Sequence, residues 1–488
     1  MKNTSSIPAE LNLAESLRSF EERVKPILKL EELREWDGQT LKQIEAEIRQ
    51  AGLELSGQCI ALLLHRLSQA SIAKEIAHER TQGQRQQSHQ GHGYRRINIL
   101  TLGNVEVRLE LPYVVRTGGN RVKGKRSQQE LQGGFYPLLS WLGMSERVSP
   151  LVWSTVAEYG MVSASFAVAQ RLLREWGVTL SERRVERLTY RFGEIGLAHR
   201  QRQLEAMQTG SLPMGETLKG QRVVISADGG RTRLRRNKRG KRKQTTGRHG
   251  YHGDWQEPLL LTIYAVDEQG RKVNTTQLPI TNDGTFGHHE AFLQLLEMHL
   301  SRLGIQSSTQ VLLLADGARW IWNKIPLLLQ RLGCPAQRVI QLLDFYHATE
   351  HLQTFAEVAL GADQVKSWVK KACSTLKHGR VVSLIKQMQA FADAAKGKRR
   401  QAILKAMQYF SKQPERFNYA QVAAQKLPIG SGSIESLMRQ VVNLRLKGNG
   451  KFWLPQHAEI MLHGRCQWAA GTWSTFCNLV LTAHLSPI

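Results

Sequence analysis

Val223-Val224-Ile225-Ser226-Ala227-Asp228 is an apolar run that ends in one carboxylate, with Gly229 and Gly230 directly after it. Such a run predicts a buried strand, and an acid at its last position is either a strand terminator or a site residue. The design recurs twice. Val311 to Asp316 (VLLLAD) is followed by Gly317, and Val339 to Asp344 (VIQLLD) leads into Phe345, Tyr346 and His347. Three strands ending alike predict carboxylates gathered at one edge of a sheet, and metal chemistry is the leading idea.

Between these runs, Pro258 to Val266 (PLLLTIYAV) and Lys272 to Ile280 read as strands joined by a turn at Asp267 to Gly270. His289 to Leu303 has the spacing of an amphipathic helix, and Ala318 to Leu332 is helical. The predicted order is β-β-β-α-β-α-β, an α/β core with short early connections and two later helical crossovers. Directly after Asp228, ten of the eighteen residues from Arg231 to Arg248 are Lys or Arg and none is acidic. A charge run of this kind is either a solvated loop or a device that holds phosphates near the chemistry.

Upstream, residues 10–33 and 39–80 carry apolar positions at helical spacing (Ile60, Leu63, Leu64, Leu67), with breaks expected at Gly52 and Gly57. Gln82 to Gly93 reads as a polar linker. Ile97 to Leu102 and Val105 to Leu111 flank Gly103-Asn104 and predict a β-hairpin. A basic loop, Arg116 to Arg126, follows. Ser165 to Trp176 places Phe166, Ala169, Leu172, Leu173 and Trp176 on one helical face, and Gly177 ends that helix. Thr179 and Glu182 have capping-box spacing and open a second helix with Val185, Leu188 and Phe192 inward. Arg183, Arg187 and Arg191 recur on its other side. This is the pattern of a DNA-reading helix-turn-helix, and also of a plain helical hairpin with a solvated basic face.

The charge balance favours the first alternative. Lys and Arg total 67 against 41 acids in 488 residues, a net charge of +26, which points to a polyanion such as nucleic acid. No segment approaches the roughly 20 apolar residues of a spanning helix. The first residues lack an apolar signal core, so no export is expected. Five scattered cysteines without a CxxC pair (Cys59, Cys334, Cys373, Cys466, Cys477) fit a reducing cytoplasm and argue against a zinc ribbon.

After a helical, Lys-rich stretch comes Pro428-Ile429-Gly430-Ser431-Gly432-Ser433-Ile434-Glu435. Ser433 is the expected cap of a helix that carries Glu435 in its first turn, where the positive helix end favours a carboxylate. Arg439 stands four residues on and could simply pair with it; Arg445 and Lys447 follow. The β-β-β-α-β-α-β plan resembles the RNase H-like fold of transposases and integrases that use two aspartates and a glutamate. GSGSIESLMRQVVNLRLKGNGKFW, LLLADGARWIWNKI and LLDFYHATEHL together resemble bacterial insertion-sequence transposases of the ISKra type, relatives of the Mutator-like branch, over roughly residues 95–470. The resemblance implies Asp228, Asp316 and Glu435 as the catalytic, metal-binding triad. It also matches Asp344 and His347 to a D-x-x-H pair after the fifth strand, ahead of a helical insertion. Where many relatives carry paired cysteines after the hairpin, this chain has Tyr113-Val114-Val115.

Two Mg²⁺ ions, with Mn²⁺ as a substitute, need bridging hard oxygen ligands, which Asp and Glu supply. Asp344, His347 and Arg439 are expected to support that triad. Asp344, His347 and His351 at i, i+3 and i+7 also raise a separate transition-metal site, without a clear fourth ligand. The expected DNA contacts are Arg183, Arg187 and Arg191; Arg231, Arg233, Arg235, Arg236, Lys238, Arg239, Lys241, Arg242 and Lys243; and Arg445 and Lys447. The expected segments are a helical region (1–93), hairpin and basic loop (94–135), helix-turn-helix-like region (136–215), first part of the core (221–345), helical insertion (346–428) and last part of the core (429–488). The implied function is Mg²⁺-dependent DNA cleavage and strand transfer at element ends and target DNA. It implies a homodimer or larger assembly on DNA, in the bacterial cytoplasm and on the nucleoid when bound. A DNA-binding regulator on an inactive scaffold and a nuclease without strand transfer are the alternatives.

Overall fold

The computed structural model describes residues 12–28, 37–85, 89–116, 134–144, 146–242, 244–245, 247 and 249–483. The chain forms two compact units, one of Met1–Gly196 with Ser474–Ile488 and one of Leu197–Trp473.

In the first unit, helices α1 (Leu13–Val24), α2 (Gly38–Gln69) and α3 (Ser71–Arg85) precede a hairpin of β1 (His89–Leu100) and β2 (Glu106–Arg116). Helix α2 passes unbroken through Gly52 and Gly57, contrary to the sequence expectation. Gly57 is there for close approach: a Cβ on it would stand 2.0 Å from the Leu102 carbonyl oxygen of the hairpin turn. The expected linker at Gln82–Gly93 is replaced by the end of α3 and the start of β1, with residues 86–88 outside the described residues. Ile97, Ile99, Val107, Leu109 and Leu111 are buried, as strict alternation on one face demands. Of the basic loop, only Arg116 is described. Helices α4 (Pro137–Trp141), α5 (Pro150–Val162) and α6 (Phe166–Leu173) follow. Gly177, at φ 61°, makes the left-handed turn into α7 (Glu182–Gln208). The cap is Ser181, whose hydroxyl accepts the Arg184 amide at 3.3 Å, rather than Thr179. Val185, Leu188 and Phe192 are fully buried, and the Trp153 indole donates to the Leu188 carbonyl at 3.0 Å.

The second unit opens with the later half of α7 and holds a mixed sheet. Its strands are β3 (Arg222–Gly229), β6 (Leu259–Val266), β7 (Thr281–Thr285), β8 (Gln310–Ala315) and β9 (Val339–Leu343), in the spatial order β7-β6-β3-β8-β9. β3 runs antiparallel to β6 and parallel to β8; β6–β7 is antiparallel and β8–β9 parallel. The third sheet strand lies at Thr281–Thr285, later than the Lys272–Ile280 expected, because only Lys272 bridges back to Val266. The charge run is a second departure: it folds as an antiparallel ribbon of β4 (Thr232–Arg242) and β5 (His249–Gln256).

Helices α8 (His289–Leu303) and α9 (Arg319–Arg331) make the crossovers. Behind β9, α10 (Phe345–Ala359), α11 (Ala362–Lys377), α12 (Val381–Ala394), α13 (Gly397–Ser411) and α14 (Tyr419–Ala424) form the helical insertion. Its buried residues, among them Leu352, Phe355, Leu384 and Phe410, are continuous with the sheet core of Val223, Ile225, Leu312 and Leu314. After the insertion come α15 (Gly432–Met438), a π-helical continuation over Arg439–Leu446, α16 (Pro455–Ala469) and α17 (Trp473–Thr482). From Ser474 the chain belongs to the first unit, so the unit that holds the sheet ends earlier than the expected residue 488.

Candidate active site

The parallel register of β3 and β8 sets Ala227 opposite Ala315. Asp228 and Asp316 are each the next residue, so two carboxylates stand side by side at the C-terminal ends of neighbouring strands. Adjacent strands lie about 4.8 Å apart, close enough for two acids to face one ligand. Helix α15 packs against β3 and β6 and brings Glu435 to the same edge. Gly230 permits that approach, since a Cβ there would run into the Met438 sulfur of α15. Burial is the main cause that pushes the Asp228 carboxyl up to about 6; the negative charges of Asp316 and Glu435 add to it, against the Gly229 amide and the field of His347.

Each aspartate is steadied through one oxygen. Asp228 Oδ1 accepts the Gly229 amide at 2.7 Å and Asp316 Oδ1 the Ala318 amide at 3.0 Å, while the Trp322 indole donates to the Asp316 carbonyl at 2.8 Å. Glu435 Oε1 accepts the Ser431 hydroxyl at 2.9 Å. Arg439 is exposed and makes no ion pair with Glu435 among the described residues. No cluster of three or more acidic, His or Cys side chains among the described residues is already drawn together to hold a metal. The fit to a cation is electrostatic: the charges of Asp316 and Glu435 help to raise the proton affinity of Asp228, and a positive ligand between the three carboxylates would relieve that repulsion.

Asp344 is differently used. It is 2% exposed and caps α10, Oδ2 accepting the His347 amide at 2.7 Å, while Oδ1 accepts the Ser431 amide at 2.6 Å. The D-x-x-H spacing is therefore a helix cap that also holds the Gly430–Ser431 loop, and through Ser431 it sets Glu435. Both of its oxygens are engaged inside the fold. Asp344→Asn replaces one acceptor by a donor facing a backbone amide, and should cost about 1–3 kcal/mol. Urea denaturation checks this; a variant as stable as the parent would mean the loop is held by something else.

The His347 ring lies 4.8 Å from His351, which stacks on Tyr409 at 3.7 Å. The histidines thus pack α10 against α13, and His347 and His351 do not join Asp344 in a metal set. Tyr409 was not singled out in the sequence, yet its hydroxyl is buried without a hydrogen-bond partner beneath the site. Burial, then the charges of Asp316, Asp344 and Glu350, push that hydroxyl's pKa far up. Gly317 makes room for the Tyr409 ring, which a Cβ would approach at 2.9 Å.

The basic residues divide into three groups. Arg183, Arg187 and Arg191 are exposed on α7, with Arg191 paired to Glu194 at 3.1 Å and Glu146 at 3.6 Å. Arg231, Arg233, Arg235 and Arg236 are exposed on the ribbon, and Arg236 forks onto Asp254. Lys238, Arg239, Lys241 and Arg242 belong to β4 but their side chains lie outside the description, as does Lys243 altogether. Arg445 corrects the expectation. It is 3% exposed with its guanidinium 5.1 Å from the Trp453 ring, so it braces the interior instead of meeting a phosphate at the surface; Lys447 is exposed.

A buried charge network centres on β7, two strands from β3 in the sheet. Asp283 of β7 is fully buried and meets Arg200 at 3.1 Å, His463 at 2.9 Å and His299 at 2.9 Å. Arg200 also meets Glu459 at 2.6 Å and the Gly284 carbonyl at 2.9 Å. Burial would raise the Asp283 carboxyl, but His463 and Arg200 outweigh it and hold it well below the usual range. A short strand over Asn282-Asp283 gives no periodic signal in the sequence, and partners up to 180 residues away cannot be paired from spacing.

No family model matches the chain, and no curated protein matches it.

Proposed function

We propose that the chain is a DNA transposase that cuts and joins strands with Asp228, Asp316 and Glu435 on an RNase H-like core. The observation that carries this reading is the pairing of Ala227 with Ala315, which sets two aspartates at adjacent parallel strand ends with Glu435 within electrostatic reach. The strand order and senses agree with that fold, and so does a helical segment between β9 and the Glu435 helix. A net charge of +26 suits DNA, at element ends and at a target, bound by a dimer or larger assembly. No helix among the described residues is long and apolar enough to cross a membrane.

Asp228, Asp316 and Glu435 would hold two Mg²⁺ ions, which supply Lewis-acid activation of the attacking water or 3′ hydroxyl and charge stabilisation at the leaving oxygen. The protein's own part is positioning. The sheet fixes both aspartates, the Asp344–Ser431 pair aims Glu435, and His347 lends a positive field beside Asp228 whenever it is protonated. Exposed arginines of the ribbon, which starts four residues after Asp228, hold backbone phosphates close to the cut.

Glu435→Gln keeps the size of the side chain and removes its charge. End binding should survive within about twofold, while Mg²⁺-dependent nicking of a plasmid carrying the element ends should fall by on the order of 1,000-fold. Undiminished nicking would remove Glu435 from the site, and a parent protein that never nicks would end the reading.

A further inference from the structure

We propose that the outer face of the β4–β5 ribbon is a stacking surface for unpaired nucleotides of a DNA strand, with Trp255 as the base-receiving ring. This deepens the DNA-cutting reading and rests on it for the source of the strand. Exposure alternates from Arg231 into the start of β4: Arg231, Arg233 and Arg235 face solvent, whereas Thr232 and Leu234 are 1% and 6% exposed. The buried side is bolted down. Thr232 donates to the Leu446 carbonyl at 2.9 Å, the Arg235 amide to the Trp453 carbonyl at 2.7 Å, and Leu234 bridges to Trp453. The outer side is therefore presented on a fixed base near Asp228.

Cross-strand register puts Trp255 opposite Arg233 and Gly253 opposite Arg235, so these residues share the outer face. The Arg233 guanidinium lies 4.6 Å from the Trp255 ring centre and 5.6 Å from that of Phe452; Arg231 lies 5.2 Å from Trp255. Phe452 lies over Gly253, where a Cβ would come within 3.0 Å of its ring. Even with these contacts Trp255 remains 46% exposed. A large aromatic left open among three arginines is the composition of a single-strand platform, in which bases stack on rings and cations follow the backbone.

Paired DNA does not account for the tryptophan. A duplex presents phosphates to arginines but keeps its base faces inside the stack, so Trp255 would gain nothing from it. An unpaired base offers a free face. Ends that are cut and joined pass through unpaired stretches, and the ribbon begins four residues after Asp228.

The test uses the full chain without Mg²⁺, fluorescence anisotropy, and two probes: a blunt duplex and the same duplex with a short thymine overhang. The parent should prefer the overhang. Trp255→Leu should lose about 10-fold in affinity for the overhang, leave the blunt duplex unchanged and keep the salt dependence; Trp255→Phe should restore most of the loss. Arg233→Ala should weaken both probes and flatten the salt dependence. Equal parental affinity for both probes, or equal weakening of both by Trp255→Leu, would overturn the proposal. So would displacement of the overhang by polyglutamate of equal charge, since the face would then be a site for acidic protein. A chain that stacks the overhang but never nicks would sink the nuclease reading alone.

Discussion

Asp228→Asn is expected to stabilise the metal-free protein at pH 7.5 while lowering Mg²⁺-dependent nicking by on the order of 1,000-fold. The two effects have one cause. Burial, with Asp316 and Glu435 nearby, lifts the Asp228 carboxyl up to about 6 in the folded chain, against about 3.9 when unfolded. A raised carboxyl contributes stability that is full below its unfolded pKa and is lost as pH rises through its folded pKa. The parent therefore loses stability between about pH 4 and pH 6, and the asparagine variant, with nothing to ionise, does not. Thermal melts in EDTA should show the variant above the parent at pH 7.5 and no advantage at pH 4. A gap independent of pH would mean that Asp228 is not held in the crowded, desolvated state described.

Asp283→Asn should be the most destabilising single change, by about 3–5 kcal/mol, because it removes the fully buried carboxylate shared by Arg200, His299 and His463 and leaves Arg200 with Glu459 as its one acidic partner among the described residues. Arg200 is 11% exposed in its side chain and Asp283 0%, so solvent cannot replace the lost contact and Glu459 compensates for it only in part. Burial would lower the Arg200 pKa, but Asp283 and Glu459 outweigh that and raise it. The Asp283 carboxyl is depressed in the fold, so its contribution is present above the unfolded carboxyl pKa and lost as pH falls through the lower folded value. Arg200→Met combined with Asp283→Asn should cost less than the two single changes added together. Chemical denaturation at pH 7 measures all three. Additive costs would show that the pair does not act as a unit.

What the sequence carries and what it hides follow from periodicity. VVISAD and VLLLAD are legible because a strand buried on both faces is a continuous apolar run with the acid at its end, and VIQLLD is legible from the same pattern although its Asp344 is itself buried. Glu435 is legible from a Gly/Ser turn before a new helix, though the cap is Ser431 and not Ser433. The third sheet strand is not legible, since TNDGT has neither an apolar run nor alternation and is held by its neighbours instead. Neither is the ribbon, whose arginine-rich strand alternates Thr232 and Leu234 against cations that mask the pattern. Gly57 misleads for the opposite reason: packing against the hairpin turn overrides the helix propensity of glycine. Arg445 is read as a surface cation because sequence cannot say that its guanidinium lies over Trp453.

The claim that three carboxylates serve one cation site is tested most directly by the rise in melting temperature that Mg²⁺ causes. At roughly 100 times its dissociation constant, a ligand adds about 2.7 kcal/mol to the state that binds it, or on the order of 5 °C for a unit of this size. The parent and Asp344→Asn should both show that rise, the latter from a lower starting point, because Asp344 holds a loop and not a metal. Asp228→Asn, Asp316→Asn and Glu435→Gln should each lose most of it. A parent that does not respond to Mg²⁺, or a response that disappears in Asp344→Asn while persisting in Asp316→Asn, would contradict the site as built here.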